Sequence, residues 1–233
     1  MITKQFLRLI LFDIDGTLVT TNGIAKEAFS EAVEEVVGST TIAREHDFAG
    51  KTDQQIYTEV MSASKIPEAL AAKHQNAVFA IFFKKLEERL HEGNVTVFPG
   101  VRQLLEALRQ EEAATLALLT GNMLQGARIK LTPPALLEYF SFGAFGNDAP
   151  FRHDLPEIAV SRAYDRTGAT FRAKDIVIIG DTPHDIDCGR HLNVRSIGVA
   201  TGGYSQEALA EARPDHLFTD LTDTDRLLDA IFA

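Results

Sequence analysis

The sequence predicts an α/β protein, with a parallel sheet covered by helices on both faces and an inserted, all-helical cap domain. Three observations predict it. Short apolar runs without polar alternation recur along the chain, as expected of strands buried on both faces. Helical patterns separate most of them, and strands that alternate with helices imply parallel pairing. Between the first and second runs, about seventy-five residues read as helix only.

The first run is 7–12, LRLILF, which stops at Asp13-Ile14-Asp15-Gly16. The block that follows predicts helices over 24–37, 52–63 and 67–91, with Gly38 as a helix stop and Pro67 in a helix first turn. Pro99-Gly100 marks the return to the sheet. Strands are then predicted over 115–119, 142–145, 176–179, 196–199 and 216–218, and helices over 101–110, 122–130, 155–167, 185–191 and 205–211. The expected division is a core of 1–19 and 96–233 and a cap of 20–95.

With 233 residues, 45% of them hydrophobic, the chain is long enough for a core and a small second domain. A net charge of −10 argues against a nucleic-acid partner, which needs clustered Lys and Arg. The single cysteine, Cys188, excludes an intrachain disulfide and fits a reducing compartment. The apolar run at the N-terminus is too short for a signal peptide, and no stretch reads as a membrane span. The expected setting is the cytoplasm, with no membrane partner and the chain as a monomer or homodimer.

In open α/β sheets, ligands bind outside the carboxyl ends of the strands. Three predicted strands end in polar residues: Asp13 and Asp15, then Thr120-Gly121-Asn122, then Asp181 to Asp185. A parallel sheet brings all three sets to one edge. Carboxylates converging there repel one another unless a cation lies among them. A few hard oxygen ligands, with water and substrate oxygens completing the shell, point to Mg²⁺. Beside such a cation, one ionised aspartate can attack phosphorus and a second can move the leaving-group proton.

Asp13-Ile14-Asp15-Gly16-Thr17-Leu18 resembles the first motif of the haloacid-dehalogenase-like (HAD) hydrolases. Leu118 to Asn122 resembles the second motif, and Ile179 to Asp185 the fourth. The three motifs stand in the family's order over nearly the whole chain. The resemblance implies a Rossmann-like core with a helical cap, similar to the phosphoglycolate phosphatase and β-phosphoglucomutase branch. It implies that Asp13 is the nucleophile and a metal ligand, and that Asp15 is the acid/base and binds metal through its carbonyl. It assigns phosphate to Thr120 and Gly121, and metal to Asp181 and Asp185.

The third motif departs from the pattern. Where the family supplies a lysine, this chain reads APFRHDLP, and the cation is Arg152. Arginine grips phosphate with a planar fork and can stand in, though not identically. Lys130 is the weaker candidate and is expected to be a solvated helix-end lysine. Asn122 reads either as the N-cap of the next helix or as a phosphate ligand. Lys51 lies where family caps recognise substrate.

Other signals carry less. Ala49-Gly50-Lys51-Thr52 lacks the earlier glycine of a P-loop, since Glu45 occupies that position. The dehalogenase and phosphonate-cleaving branches lack a second aspartate, and Asp15 is present. Phe79, Phe82 and Phe83 read as cap core, and Cys188 as packed and inert. His153 and His184 read as loop residues. The expected function is Mg²⁺-dependent hydrolysis of a small phosphorylated metabolite through an aspartyl-phosphate. The rivals are a phosphomutase and a non-catalytic metal- or phosphate-binding regulator.

Overall fold

The computed structural model describes residues 7–38 and 42–233 of the chain. Residues 1–6, on which the signal-peptide reading partly rests, and 39–41 lie outside the described residues. The strands β1 (Arg8–Phe12), β4 (Ala114–Leu119), β5 (Gly143–Ala144), β6 (Ile176–Gly180), β7 (Arg195–Val199) and β8 (His216–Phe218) form one sheet in the order β5-β4-β1-β6-β7-β8. Every pairing in it is parallel. A separate antiparallel pair, β2 (Val19–Thr20) and β3 (Thr96–Val97), ties together the two ends of the helical insertion.

The unbroken apolar runs are explained by the two cores. Along β1, Ile10 and Phe12 face one cluster, while Leu9 and Leu11 face the other. The central strands β4 and β6 divide in the same way: Leu118, Val177 and Ile179 on the first side, and Ala117, Leu119, Ile176 and Ile178 on the second. Both faces are covered, so both alternate sets are mainly apolar. Helix α5 (Val101–Gln110) buries Val101, Leu104, Leu105 and Leu108, a stripe at i, i+3, i+4 and i+7. Helix α7 (Leu155–Thr167) covers the opposite face through Leu155, Ala159 and Ala163.

The insertion contains α1 (Ile24–Val37), α2 (Ile42–Glu45), α3 (Asp53–Ala63) and α4 (Glu68–Arg89). Helices α1 and α4 pack face to face. Phe29 meets Phe82 edge-on at 5.5 Å, and Arg89 forks onto Glu31 at 2.6 and 3.1 Å. Phe79, Phe82 and Phe83 are buried as expected. This packing is continuous with the core on the α5 side of the sheet.

The remaining helices are α6 (Leu124–Leu131), α8 (Pro183–Cys188), α9 (Gln206–Glu211) and α10 (Thr224–Phe232). Four elements differ from the expected ones. Helix α6 starts two residues late, because Asn122 is drawn into other bonds. The run at 142–145 yields only Gly143–Ala144 as an edge strand. The helix expected over 185–191 breaks at Gly189 into α8 and a 3-10 turn, Arg190–Leu192. Helix α10, unpredicted, buries Leu227, Ala230 and Ile231. Its last carbonyls accept from two buried arginines, Arg8 and Arg195, at 2.7–3.3 Å.

Candidate active site

The site forms where β1, β4 and β6 end side by side. The chain leaves β1 toward β4 on one flank and β6 lies on the other, so β1 borders the switch point where open sheets bind ligands. The Asp13 amide still continues the ladder, donating to the Ile179 carbonyl at 3.0 Å. Thr120 does the same toward Ala144 at 3.1 Å. Their side chains are thereby held at the same edge as Asp181, the first residue past β6.

Asp13, Asp181 and Asp185 each offer an oxygen, and the three oxygens lie within 4.8 Å of one another. All three residues are buried. Burial drives the Asp13 carboxyl well above the ordinary carboxylate range; Arg152 opposes this and Asp185 adds to it. Burial, then Asp185 and Asp13, push Asp181 the same way.

Local backbone chemistry sets each carboxylate. In α8, Thr182 and Asp185 form a capping box: the Asp185 amide donates to Thr182 Oγ1 at 3.2 Å, and the Thr182 amide to Asp185 Oδ2 at 2.9 Å. Asp185 Oδ1 is left buried without a hydrogen-bond partner. Thr17 Oγ1 donates to Asp181 Oδ1 at 3.1 Å. A Cβ on Gly16, at φ +90°, or on Gly202 would overlap the Asp181 carboxylate. These two glycines leave the space that Asp181 occupies. Three buried carboxylates with oxygens within 4.8 Å of one another, beside a glycine cradle, fit a hard divalent cation.

Arg152 stands in a 3-10 turn, Arg152–Asp154, ahead of α7. Its Nη2 donates to Asp13 Oδ1 at 2.8 Å and to the Leu119 carbonyl at 3.0 Å, and abuts Asp185 Oδ1. Burial opposes the guanidinium charge, but the Asp185 and Asp13 carboxylates together hold it more firmly protonated than usual. The loop arginine of the third motif is thus packed within the carboxylate cluster.

Asp15 is held separately. Lys130 donates from Nζ to Asp15 Oδ2 and to Asn122 Oδ1, both at 2.6 Å. Asn122 Nδ2 donates to Asp15 Oδ2 at 2.6 Å and to Thr120 Oγ1 at 2.8 Å. Two expectations are corrected here. Lys130 is not a solvated helix-end lysine; only 6% of its side chain is exposed. Asn122 caps no helix, because Met123 holds the N-cap position of α6 without a side-chain bond. A signal for Lys130 was available: it falls at i+3 from Ala127 and beside Leu131, on the buried stripe of α6. A lysine on an apolar stripe implies a buried partner.

The helical insertion closes over this edge. The Asp53 amide donates to the Gly121 carbonyl at 2.8 Å, and Asp53 Oδ2 accepts from the Met123 amide at 2.7 Å. Thr52 Oγ1 donates to the Pro150 carbonyl at 2.6 Å. A side chain on Gly121 would strike the Lys51 carbonyl, so that glycine permits backbone-to-backbone contact. A cavity of about 710 Å³ remains between the two parts. Asp13, Asp15, Thr120 and Arg152 line its floor, and Lys26, Phe48 and Lys51 line it from the insertion. Lys51 is already paired with Glu59 at 2.7 Å, beside His46. Lys26, which the sequence reading passed over, sits 5.3 Å from the centre of the Phe48 ring.

His184 packs where a Cβ on Gly50 would go, and His153 stacks on Phe151 outside the cavity. Cys188 is buried, and its surroundings push the thiol up to about 12, burial being the main cause. It is packed, as expected, and a raised thiol disfavours the reactive thiolate.

A family model described as haloacid dehalogenase-like hydrolase matches residues 10–199. The chain is 27% identical over 227 residues to the pyrophosphatase PpaX of Oceanobacillus iheyensis, covering 97% of this chain and 99% of the relative. It is 24% identical over 228 residues to a phosphoglycolate phosphatase of Vibrio parahaemolyticus, covering 95% and 96%. The crystal structure of a β-phosphoglucomutase from Clostridium difficile superimposes with a TM-score of 0.73 at 14% identity, covering 97% of each chain.

Proposed function

The chain belongs to the haloacid dehalogenase-like hydrolase family, and we propose that it is a Mg²⁺-dependent phosphatase that cleaves a small phosphorylated metabolite through an aspartyl-phosphate on Asp13. That it is a phosphoric ester hydrolase agrees with the names of its relatives, a pyrophosphatase and a phosphoglycolate phosphatase. The observation that carries the finer reading is the separation of two carboxylates into different surroundings. Asp13 lies buried among Asp181, Asp185 and Arg152, whereas Asp15 is 42% exposed and held by Lys130 and Asn122. Distinct environments for two carboxylates are how one site divides nucleophile from acid/base.

Asp13, Asp181 and Asp185 would hold the metal, with the Asp15 carbonyl as a further ligand. Bound there, Mg²⁺ supplies charge neutralisation for the phosphoryl oxygens. Asp13 attacks phosphorus, and Arg152, bonded to it, orients the attacking oxygen. Thr120, Gly121 and Asn122 at the end of β4 receive the phosphoryl group. Asp15 gives a proton to the leaving oxygen and later takes one from the water that cleaves the intermediate.

The helices of 20–95 act as a cap domain over a core of 1–19 and 96–233. Closure of this cap excludes bulk water during transfer. A cavity of about 710 Å³ suits a small metabolite rather than a phosphoprotein. Lys26, a cation on the cap side, favours a substrate with a second anionic group, and Lys51, though paired with Glu59, lines the same cavity as a specificity residue.

The test is a panel of phosphate compounds, including pyrophosphate, phosphoglycolate, sugar phosphates and nucleotides, assayed for released phosphate with Mg²⁺ and with EDTA. Metal-dependent release from one small, doubly anionic compound is the expected result. Silence across the panel, with and without sugar bisphosphates, would refute the hydrolase and the mutase readings together.

A further inference from the structure

Lys130 is a buried cation to which the reaction scheme above gives no task. An ammonium is strongly hydrated, and burying it costs several kcal/mol unless it is paired. Lys130 spends its charge on Asp15 Oδ2 and Asn122 Oδ1, at 2.6 Å each. Asn122 closes the triangle by donating to the same Asp15 oxygen at 2.6 Å. Asp15 Oδ2 therefore accepts from two donors. Asp15 Oδ1 has no hydrogen-bond partner among the described residues, and the residue lines the cavity.

We propose that Lys130 and Asn122 clamp one oxygen of Asp15 so that proton transfer is confined to the other, which makes Lys130 a positioning residue for departure of the leaving group. The proposal rests on the reading of Asp15 as the acid/base. In the first step, an Asp13 oxygen bonds to phosphorus and the phosphorus–ester oxygen bond breaks. Its electron pair goes to the leaving oxygen, which takes the proton from Asp15 Oδ1. In the second step, a water oxygen bonds to phosphorus and the bond to Asp13 breaks, its electrons returning to Asp13. The proton from the water goes to Asp15 Oδ1, which restores the starting state. An unclamped, half-exposed carboxylate rotates among its rotamers, and a misplacement of about 1 Å costs on the order of a hundredfold in such a transfer.

Leaving-group dependence separates this role from a structural one. The quantity to measure is kcat/KM with Mg²⁺ for p-nitrophenyl, phenyl and benzyl phosphates, because it reports only through the step that expels the leaving group. A nitrophenolate leaves without a proton, whereas a benzyl alkoxide needs one. Lys130→Met should lose at least about tenfold on benzyl phosphate and little on p-nitrophenyl phosphate, the pattern of a damaged general acid. Lys130→Arg, which keeps the charge, should fall between the two and protects the test if the methionine variant does not fold. An equal loss on all three esters, or a wild-type pattern in the arginine variant at uniformly lower rates, would overturn the clamp. Wild-type protein inactive on every ester and on the metabolite panel would overturn the hydrolase reading itself, and the clamp with it.

Discussion

Asp53 permits a quantitative test of how the insertion sits on the core. Its carboxylate is half-buried in the cavity wall, bonded to the Met123 amide and near Lys130. Burial raises it from the ordinary 3.8 to about 6, against the pull of Lys130 and the Met123 bond. The folded state thus binds this proton more tightly than the unfolded chain. The corresponding stability is fully present below the unfolded value near 4 and is lost as pH rises through 6. Two units correspond to about 3 kcal/mol. Asp53→Asn keeps an oxygen to accept from Met123 and cannot ionise. Its stability relative to wild type should therefore climb by about 2–3 kcal/mol between pH 4 and pH 8. Any constant cost of the new amide shifts the curve without changing that swing. Urea unfolding of both proteins in EDTA across this range measures it. A flat difference, or one that falls with pH, would show that Asp53 is not docked on Gly121 and Met123 in solution, and that the insertion sits open.

Three further outcomes are expected. Asp13→Asn should abolish phosphate release while leaving the thermal midpoint unchanged or higher, because it removes a carboxyl held protonation-prone by burial and Asp185; retained turnover would remove Asp13 as the nucleophile. Arg152→Ala leaves two buried carboxylates without their counter-cation and should cost about 3–5 kcal/mol by denaturant unfolding in EDTA. Arg152→Lys should keep part of the activity, and full activity in the alanine variant would move the third-motif role to Lys130. Gly202→Ala drives a methyl into the Asp181 carboxylate and should raise the Mg²⁺ concentration needed for half-maximal activity; an unchanged requirement would exclude Asp181 from the metal set.

Much of this protein was legible in one dimension. The β1, β4 and β6 runs are apolar at nearly every position, Arg8 and Thr115 excepted, because both faces are covered, a property of composition along a few residues. Helices α1, α5 and α7 were predicted to their observed bounds, since each carries an apolar stripe and a glycine or polar stop. The carboxylates Asp13, Asp15, Asp181 and Asp185 were visible because strand ends in a parallel sheet must share an edge. Helix α10 was missed. Its nine residues are short, and its carbonyls are tied down by Arg8 and Arg195, more than thirty residues away in sequence.

Most strands and helices, and the identity of the groups at the strand ends, could be read from the chain because local periodicity and motif spacing are written in neighbouring residues. The partners were set by long-range folding: Arg152 lies between Asp13 and Asp185, Lys130 and Asn122 hold Asp15, and Asp53 docks on Gly121. A side chain's charge is known from its letter. Whether that charge is solvated or buried against another depends on which distant segments fold over it, and the desolvation of Lys130 and Asp53 exists only once α6 and the insertion have closed on the edge of the sheet.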